Sequence, residues 1–291
     1  MDVLRTKAEL RERLAGERRR GRRIGLVPTM GYLHDGHASL LTAARERCDV
    51  VVMSLFVNPA QFRPGEDLEA YPRDEEHDAA IAAERRVDVI FAPAVREIYP
   101  DGFATSVLVE GLTEVLCGDP QRRGLEHFRG VTTVVAKLLN IVGPDVAYFG
   151  QKDAQQAVVI RRMVRDLDFP VEIDVRPTIR EPDGLAMSSR NAYLSDSERR
   201  RAAAIKRALD AVRARAEAGE TDPARALEAG RRVLADAGIE PEYLEARDAD
   251  DLQPLGSLNG RPVLVAVAAA LGRARLIDND VIESRTEQGE S

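Results

Sequence analysis

The sequence predicts an α/β protein, in which a parallel sheet flanked by helices is followed by a smaller α+β domain with a short antiparallel sheet. Residues 50–57 form an apolar run without alternation, as is typical of a strand buried on both faces of a parallel sheet. Strand-like and helical segments alternate along the first part of the chain, whereas two helices and three alternating strands make up the last third. The first part therefore has a Rossmann-like pattern.

The elements of the first part follow from apolar periodicity and from helix-start signals. A helix comes first, because Thr6 and Glu9 have the spacing of a capping box before an apolar stripe. Residues 105–126 should hold a short strand, a short helix and a polar loop. We predict helices at about residues 6–20, 34–47, 75–86, 127–142 and 153–168, and strands at 23–28, 50–57, 87–92, 145–149 and 171–175.

The character of the chain changes after a junction rich in turn residues at 180–184. Ser195 and Glu198 form a second capping box before a long helix that reaches about residue 218, and Pro223 begins another that reaches about residue 237. Strand-like runs follow at residues 243–247, 263–269 and 275–279. We predict a first domain over residues 1–178, a second over 179–285 and a frayed tail over 286–291.

Composition restricts the class of protein. The net charge of −7 argues against a dedicated nucleic-acid binder, and 44% hydrophobic residues suffice for a proper core. Cys48 and Cys117 are the only cysteines and have no metal-binding or disulfide spacing, as expected in a reducing cytosol. The longest apolar run, residues 263–271, is about half the roughly 20 residues that a membrane span needs. We expect a cytoplasmic protein that binds neither nucleic acid nor a membrane.

A pair of histidines marks the junction between the first predicted strand and the helix after it. His34 and His37 stand three residues apart on one side of the first helical turn, and Gly36 between them allows a ligand to approach the backbone. The start of a helix binds phosphate through its unpaired N–H groups and its dipole. The pair indicates a phosphate site, although a metal half-site or two capped surface histidines would explain it equally well alone.

Polar side chains follow two further predicted strands. Asn58 and Gln61 come after the run at residues 50–57, and Lys152 and Gln156 come after the fourth strand. Open α/β sheets bind ligands at the carboxyl ends of their strands, so we expect these junctions and the histidine pair to converge. Turn chemistry or an ordinary surface lysine would explain each junction separately.

A second motif lies downstream, where Ser188, Ser189 and Arg190 place two hydroxyls and a guanidinium at consecutive positions. Such a group suits a polyphosphate. Together with the histidine pair, it resembles the paired signatures of the HIGH/KMSKS nucleotidyltransferase superfamily. The resemblance implies transfer of an adenylyl or cytidylyl group from a nucleoside triphosphate.

Six stretches make the resemblance more specific, namely residues 27–37, 54–62, 66–73, 127–131, 148–156 and 183–191. In these, and over nearly its whole length, the chain resembles the pantothenate synthetase family of pantoate:β-alanine ligases. The resemblance implies that the pantoate carboxylate attacks the α-phosphate of ATP to form pantoyl adenylate. β-Alanine would then displace AMP. ATP as substrate, Mg²⁺ and a homodimer are implied as well.

The family also implies roles for individual residues. Those at the transferring phosphoryl group are His34, His37, Lys152, Ser188, Ser189 and Arg190, the last three on a mobile lid. Further ATP contacts are Pro28, Thr29, Met30, Gly36, Gly150, Asp153, Ile179 and Met187. The substrate pocket comprises Met30, Asn58, Gln61, His127, Val134, Val135 and Gln156. Asp78 would assist the metal, although a solvated acidic helix face is the other explanation for it.

Two positions depart from the family pattern. Some members have a carboxylate where this chain has His77, next to Asp78. Members place an arginine three residues before the histidine that matches His127, whereas Arg123 stands four before it, which leaves the roles of Arg122 and Arg123 open. His127 alone would more often be a helix cap or a packing residue than a ligand.

Three other functions fit parts of the pattern. A nucleotidyltransferase for a phosphorylated substrate would need a further basic pocket, and a tRNA-charging fragment would need a basic docking face. A catalytically dead nucleotide sensor would have little use for the charged groups His34, His37, Lys152 and Arg190.

Overall fold

The computed structural model describes residues 1–63, 65, 66 and 68–283. It divides into two compact units. The first consists of Met1–Glu114, Gly118–Gln151 and Val159–Thr178. The second consists of Val115–Cys117, Lys152–Val158 and Ile179–Ser291, of which residues up to 283 are described. Within the described residues, no helix is long and apolar enough to cross a membrane.

Six parallel strands form the sheet of the first unit, in the order β1-β4-β3-β2-β5-β6. They are β1 (Asp2–Leu4), β2 (Ile24–Thr29), β3 (Val50–Leu55), β4 (Val89–Phe91), β5 (Val146–Gly150) and β6 (Glu172–Arg176). The chain builds outward from β2 through β3 on one side and through β5 on the other. The β2/β5 pair is therefore the topological switch point, where such sheets bind ligands.

Helices connect these strands. They are α1 (Lys7–Arg19), α2 (Asp35–Arg47), α3 (Glu75–Glu84), α4 (Val95–Ile98), α5 (Gly124–Val142) and α6 (Ala154–Asp166). Short 3₁₀ turns lie at Pro59–Gln61, Leu116–Gly118 and Gln151–Asp153. Residues 50–53 of β3 are buried on both faces of the sheet, which explains why the strand has no alternation.

Three antiparallel strands in the order β7-β8-β9 form the sheet of the second unit. Its elements are α7 (Asp196–Ala202), α8 (Ala204–Glu217), α9 (Pro223–Asp236), β7 (Pro241–Asp248), β8 (Val263–Leu271) and β9 (Ala274–Ile282), with a 3₁₀ turn at Ser189–Tyr193. Helices α8 and α9 pack closely, since a Cβ on Gly230 would lie 2.8 Å from a methyl group of Val212. The small residues of this part allow that approach.

The predicted fold class is confirmed, and both capping boxes form, at Thr6 and at Ser195. Some details were wrong. Strand β1 precedes the first helix, and the helix predicted to begin after Ser195 is interrupted at Ala203, where ψ of −19° tightens the chain toward 3₁₀ geometry.

The strand predicted within residues 105–126 does not form. The backbone of Val107 bonds instead to two threonines of α5, since its N–H donates to Thr133 Oγ1 at 3.0 Å and its carbonyl accepts from Thr132 Oγ1 at 2.6 Å. The proposed domain boundary after residue 178 stays a prediction, and the predicted tail at 286–291 lies outside the described residues.

Candidate active site

The start of helix α2 is capped by the two histidines. His34 is the N-cap residue, and its Nδ1 accepts the N–H of Gly36 at 3.1 Å. His37 Nδ1 accepts the N–H of His34 at 3.4 Å, and the two ring centroids lie 4.1 Å apart. Because each Nδ1 accepts a hydrogen bond from a backbone N–H, the neutral rings carry their own hydrogen on Nε2. Both histidines are thus set as Nε2–H donors at the start of a helix.

The loop before His34 is held by the first turn of α3. The buried carboxylate of Asp78 accepts the N–H of Tyr32 at 2.9 Å and that of Leu33 at 2.7 Å. Next to it, His77 Nε2 donates to the carbonyl of Leu33 at 3.2 Å. Tyr32 has φ of +53°, a left-handed conformation that these contacts stabilise. Asp78 and His77 therefore fix the chain that leads into His34.

These contacts do not fit Asp78 as a magnesium ligand. Both of its oxygens accept backbone N–H groups, and its side chain is 1% exposed, so a solvated acidic face is also wrong for this position. Burial raises the pKa of Asp78, against the lowering effect of the two N–H donors. Across the described part of the chain, no group of three or more His, Cys, Asp or Glu residues is placed to hold a metal ion.

A second group of polar residues follows β3. The buried side chain of Asn58 donates from Nδ2 to Gln61 Oε1 at 3.2 Å and to the carbonyl of Gly130 at 3.1 Å. Its Oδ1 accepts the hydroxyl of Tyr99 at 2.8 Å. Gln61 Nε2 in turn donates to Met30 Sδ at 2.9 Å. Asn58 thus orients the Gln61 amide, which the predicted substrate pocket needs in one direction.

Sequence reasoning missed Tyr99. Burial raises the pKa of Tyr99 to about 12, so at neutral pH the hydroxyl is a donor to Asn58. The residue lies just after the short helix α4, which was not predicted. No motif in the sequence marks it, because its contact with Asn58 spans 41 residues.

Helix α5 closes against the Pro59–Gln61 turn. His127 Nδ1 donates to the carbonyl of Gln61 at 2.9 Å, so the Nε2 of its neutral ring is an acceptor. Val134 and Val135 are buried further along the same helix. The helix begins at Gly124, three residues before His127, so the histidine lies inside the first turn and is not the cap.

The position of Arg123 answers part of the open question about this loop. Its guanidinium forms a two-pronged ion pair with Glu66, at 2.7 and 3.2 Å, and Nη1 lies 3.5 Å from His127 Nε2. Burial acts to raise the pKa of Glu66, but Arg123 outweighs it and the pKa is lowered. Arg123 is therefore a charge-balanced neighbour of His127. Arg122 offers its carbonyl to Arg63.

In the second unit, the turn before α6 carries Lys152 and Asp153, both half-buried. The two glutamines that follow separate by role. Gln155 is buried and bonds to Val115 O at 2.6 Å and to the N–H of Cys117 at 3.0 Å, whereas Gln156 is partly exposed. Gln156 is thus the more accessible of the two, and its predicted contact with pantoate stays a prediction.

The segment that contains Ser188 and Ser189 follows a narrow hairpin in the chain. Arg180 pairs with Ala186, and the N–H of Met187 donates to the carbonyl of Ile179 at 3.0 Å. Ser188 caps the turn that follows, because its Oγ accepts the N–H of Arg190 at 3.3 Å. The hydroxyl of Ser188 keeps its own proton for donation.

The predicted site residues fall into two classes by exposure. Thr29, Asn58, Asp78, Val134 and Val135 are buried, and the Thr29 hydroxyl donates to Ser54 O at 2.7 Å inside the sheet. The others are partly exposed: Pro28, Met30, His34, Gly36, His37, Gln61, His127 and Gly150 in the first unit, and Lys152, Asp153, Gln156, Ile179, Met187, Ser188, Ser189 and Arg190 in the second. Those of the first unit follow β2, β3 and β5 or begin α2 and α5.

Known proteins resemble this chain over nearly its whole length. The pantothenate synthetase of Moorella thermoacetica is 57% identical over 286 residues, which cover 97% of this chain and 99% of the relative. The structure of pantothenate synthetase from Thermus thermophilus superposes with a TM-score of 0.89 at 50% identity, over 96% of this chain and 98% of that one. That of Francisella tularensis pantoate-beta-alanine ligase, complexed with beta-gamma ATP and β-alanine, has a TM-score of 0.80 at 34% identity over 97% of each chain.

The family model of pantoate-beta-alanine ligases matches residues 2–281, nearly the whole chain. The predicted family is thus confirmed by a sequence match of full length and by the same fold in its relatives. This chain belongs to the pantoate-beta-alanine ligase family, whose members are ATP-dependent, AMP-forming ligases.

Proposed function

We propose that this chain carries out the reaction of its family, the ATP-dependent ligation of pantoate and β-alanine, through a pantoyl adenylate. The observation that carries the proposal is the start of α2, where His34 and His37 both cap with Nδ1 and so present Nε2–H donors beside the helix start. Helix starts bind phosphate, and the related Francisella enzyme binds an ATP compound and β-alanine.

In the first step, a pantoate carboxylate oxygen attacks the α-phosphorus of ATP. The new O–P bond forms as the bond to the bridging oxygen breaks, and pyrophosphate leaves. Negative charge grows on the phosphate oxygens, so catalysis consists mainly of positioning and charge neutralisation. We assign this work to the His34 and His37 donors and to the Lys152 ammonium. Ser188, Ser189 and Arg190 bind the phosphates and, as a lid over them, keep water from the adenylate.

The nucleoside is proposed to contact the remaining partly exposed residues. They are Pro28, Met30, Gly36, Gly150, Asp153, Ile179 and Met187, with Asp153 toward the ribose. Thr29 is the exception among the predicted ATP contacts, because its hydroxyl is engaged with Ser54 inside the sheet. Only its backbone is left to take part.

Pantoate is proposed to bind through the amides of Gln61 and Gln156, with its methyl groups against Met30, Val134 and Val135. Asn58 acts indirectly, since it is buried and holds Gln61 Oε1 by its own Nδ2. A fixed amide direction matters, because the oxygen of Gln61 would accept the pantoate hydroxyl and its NH₂ would donate to the carboxylate. The Asn58 bond selects which end of the amide faces which group.

In the second step, the amine of β-alanine attacks the acyl carbon. A C–N bond forms, the bond from carbon to the phosphate oxygen breaks, AMP leaves with its electron pair, and the nitrogen loses one proton to bulk water to give the amide. The amine must approach deprotonated and oriented. We propose that His127 orients it, because Nδ1–H is held by the carbonyl of Gln61, and the lone pair of Nε2 would turn from Arg123 Nη1, 3.5 Å away, to an amine N–H.

Magnesium belongs to this proposal as a companion of ATP. It would supply further neutralisation of phosphate charge, held chiefly by the phosphates and water, which is its usual mode with nucleotides. The buried contacts of Asp78 do not fit a ligand role, so no step passes through that carboxylate.

A homodimer and a cytoplasmic location are also proposed, the first from family resemblance. The second is supported by Cys48 and Cys117, which are buried and form no disulfide. Sedimentation equilibrium would test the dimer, with a single monomeric species as the contrary result.

The decisive experiment measures pyrophosphate and AMP release from ATP and pantoate, with and without β-alanine. We expect one burst of pyrophosphate with pantoate alone and steady AMP release once β-alanine is added. Lys152→Ala should abolish both signals at catalytic enzyme concentrations and leave only a residual rate that single turnover at high enzyme concentration detects. If pantoate elicits no pyrophosphate while another small acid or a phosphorylated substrate does, the chain is a different nucleotidyltransferase of the same superfamily.

A further inference from the structure

The last strand of the second unit carries a buried polar pair that the mechanism has not used. Asp278 and Asn279 lie on β9 and are 3% and 4% exposed. A buried carboxylate or amide lowers stability unless it is fully hydrogen-bonded, so the partners of such groups show what the pair is for. The partners here are the turn at Lys152 and the hairpin before residues 187–190, two segments of the same unit that the proposed function uses at the phosphates.

Asn279 holds the turn that carries Lys152. Its Nδ2 donates to the backbone carbonyl of Lys152 at 2.9 Å, across 127 residues of sequence. The turn Gln151–Asp153 is a single 3₁₀ turn between β5 and α6. This bond restricts the ψ angle of Lys152, because it holds the Lys152 carbonyl. It thereby restricts the direction in which the Lys152 side chain leaves the turn.

Asp278 holds the other segment. Its carboxylate, 1% exposed, accepts both Nη atoms of Arg180, at 2.6 and 3.0 Å. The same Arg180 guanidinium also donates from Nη1 to the carbonyl of Gly184 at 3.0 Å. Arg180 lies beside the open end of the hairpin, at its pair with Ala186, and Gly184 lies in the turn that closes the hairpin. Asp278 therefore anchors the hairpin that leads into residues 187–190 by a bidentate ion pair.

The two anchors are adjacent on one strand and linked to each other. The N–H of Asn279 donates to Asp278 Oδ1 at 2.8 Å, and β9 is paired with β8 along its length. A paired strand is among the most rigid supports that a protein offers. Both segments are therefore held by neighbouring residues of one rigid strand.

We infer that Asp278 and Asn279 are positioning residues for the ligation, which set the Lys152 turn and the hairpin that leads into residues 187–190 in one geometry. This inference rests on the proposed use of Lys152 and Arg190 at the ATP phosphates. Neither residue touches a substrate. They act on the rate through the groups that they hold, and adenylate formation is the step that depends on those groups.

The test compares Asn279→Ala with Asp280→Asn. Asp280 is the next residue of β9 and pairs with Arg213 of α8 at 2.7 Å, so its change to asparagine removes an ion pair of the same strand away from Lys152. Asn279→Ala should lower kcat for pyrophosphate release about 10- to 100-fold, as a misplacement of about 1 Å does, with KM for pantoate within twofold. Asp280→Asn should keep the wild-type kcat. Equal behaviour of the two variants overturns the inference.

A double-mutant cycle with Lys152→Ala separates positioning from general damage. If Asn279 acts through Lys152, then Asn279→Ala lowers the rate of pyrophosphate release less than twofold in the Lys152→Ala background. That rate is measured by single turnover at high enzyme concentration. The same fold-loss in both backgrounds overturns the inference. Thermal melting checks that Asn279→Ala folds. If it does not fold, Asn279→Ser replaces it, because a serine hydroxyl is too short to reach the carbonyl of Lys152.

The same cycle distinguishes the inference from the proposed function. Wild-type pyrophosphate release by Lys152→Ala alone would contradict the proposed role of Lys152, whatever Asn279→Ala does. A dead Lys152→Ala enzyme together with a fully active Asn279→Ala enzyme would leave the proposed function intact and overturn only the positioning role of Asn279.

Discussion

A Cβ built on Gly130 would lie 2.2 Å from the carbonyl oxygen of Ala60, so no side chain fits where α5 passes the turn that carries Gln61. The close approach lets the Gly130 carbonyl accept the Asn58 amide at 3.1 Å. Because the obstacle is backbone, it can move only if the turn moves as a whole. The glycine thus determines how the floor of the proposed pantoate pocket is built.

We expect Gly130→Ala to lower the free energy of unfolding by about 1–3 kcal/mol, the usual cost of overpacking. Displacement of Gln61 should also raise KM for pantoate more than KM for ATP. Urea denaturation and initial rates measure the two effects. Gly16→Ala is the matched control, because it is also a helical glycine but a Cβ there meets no heavy atom within 4 Å. That change should stabilise the protein slightly, by up to about 1 kcal/mol. Equal destabilisation by both substitutions would contradict the packing argument.

Two substitutions of His34 should separate its role as a helix cap from its role as a hydrogen-bond donor. Asparagine is a good N-cap, so His34→Asn should keep the unfolding free energy within about 0.5 kcal/mol of wild type, whereas His34→Ala should lose about 1 kcal/mol. Both variants lose the Nε2–H donor and should release pyrophosphate about 100-fold more slowly, as when one transition-state donor is removed. Urea denaturation and pyrophosphate release are the measurements. A fully active His34→Asn enzyme would show that only the cap matters.

Asp78→Asn tests the positioning role against the predicted metal role. An asparagine can accept only one of the N–H groups of Tyr32 and Leu33, so the other loses its acceptor and the protein should lose about 1–3 kcal/mol of stability. The magnesium concentration for half-maximal rate should not change. Glu76→Gln, an exposed carboxylate in the same helical turn, is the control. A raised magnesium requirement with unchanged stability would instead support a ligand role.

The ion pair between Asp183 and Arg199 predicts a pH dependence of stability. Hydrogen bonding to Arg199 lowers the pKa of Asp183, so its stabilising contribution is present above the ordinary carboxylate pKa of about 3.9 and is lost as the pH falls through the lower folded value. Asp183→Asn should therefore melt below wild type at pH 7, by a small margin because the pair is partly exposed. The difference should vanish once the pH has fallen below the lowered pKa of Asp183 in the folded protein.

Melting curves between pH 2.5 and pH 7 would measure that change. Asp236→Asn, at an exposed position at the end of α9, provides the comparison and should track wild type throughout. A constant difference between Asp183→Asn and wild type at every pH would mean that the carboxylate charge is not the source of the effect.

Patterns within a few residues predicted much of this protein. The unbroken apolar run of β3 indicated a parallel sheet, and the Thr6 and Ser195 capping boxes placed two helix starts correctly. The histidine pair indicated a phosphate site at a helix start, which is where both rings are found. In the two capping boxes and in the histidine pair the interacting groups are three residues apart, so a short stretch of sequence contains both partners.

The features that the sequence did not predict depend instead on contacts between residues far apart in the chain. Strand β1 was missed because three residues, two of them exposed, carry no strand pattern, and it forms only by pairing with β4 from far along the chain. Asp78 looked like a solvated acid on its own helix. It is buried because the loop at Tyr32, 46 residues earlier, folds over it.

The sequence by itself determined the family, the two kinds of sheet and the residue types that can neutralise a phosphate. Only the tertiary structure decided which of those residues are accessible and what holds them. Asn279 and the carbonyl of Lys152, or Tyr99 and Asn58, meet across 127 and 41 residues. A backbone carbonyl or a buried hydroxyl has no sequence signature of its own, and its partner is chosen by the packing of distant elements, where an unpaired polar group would be costly.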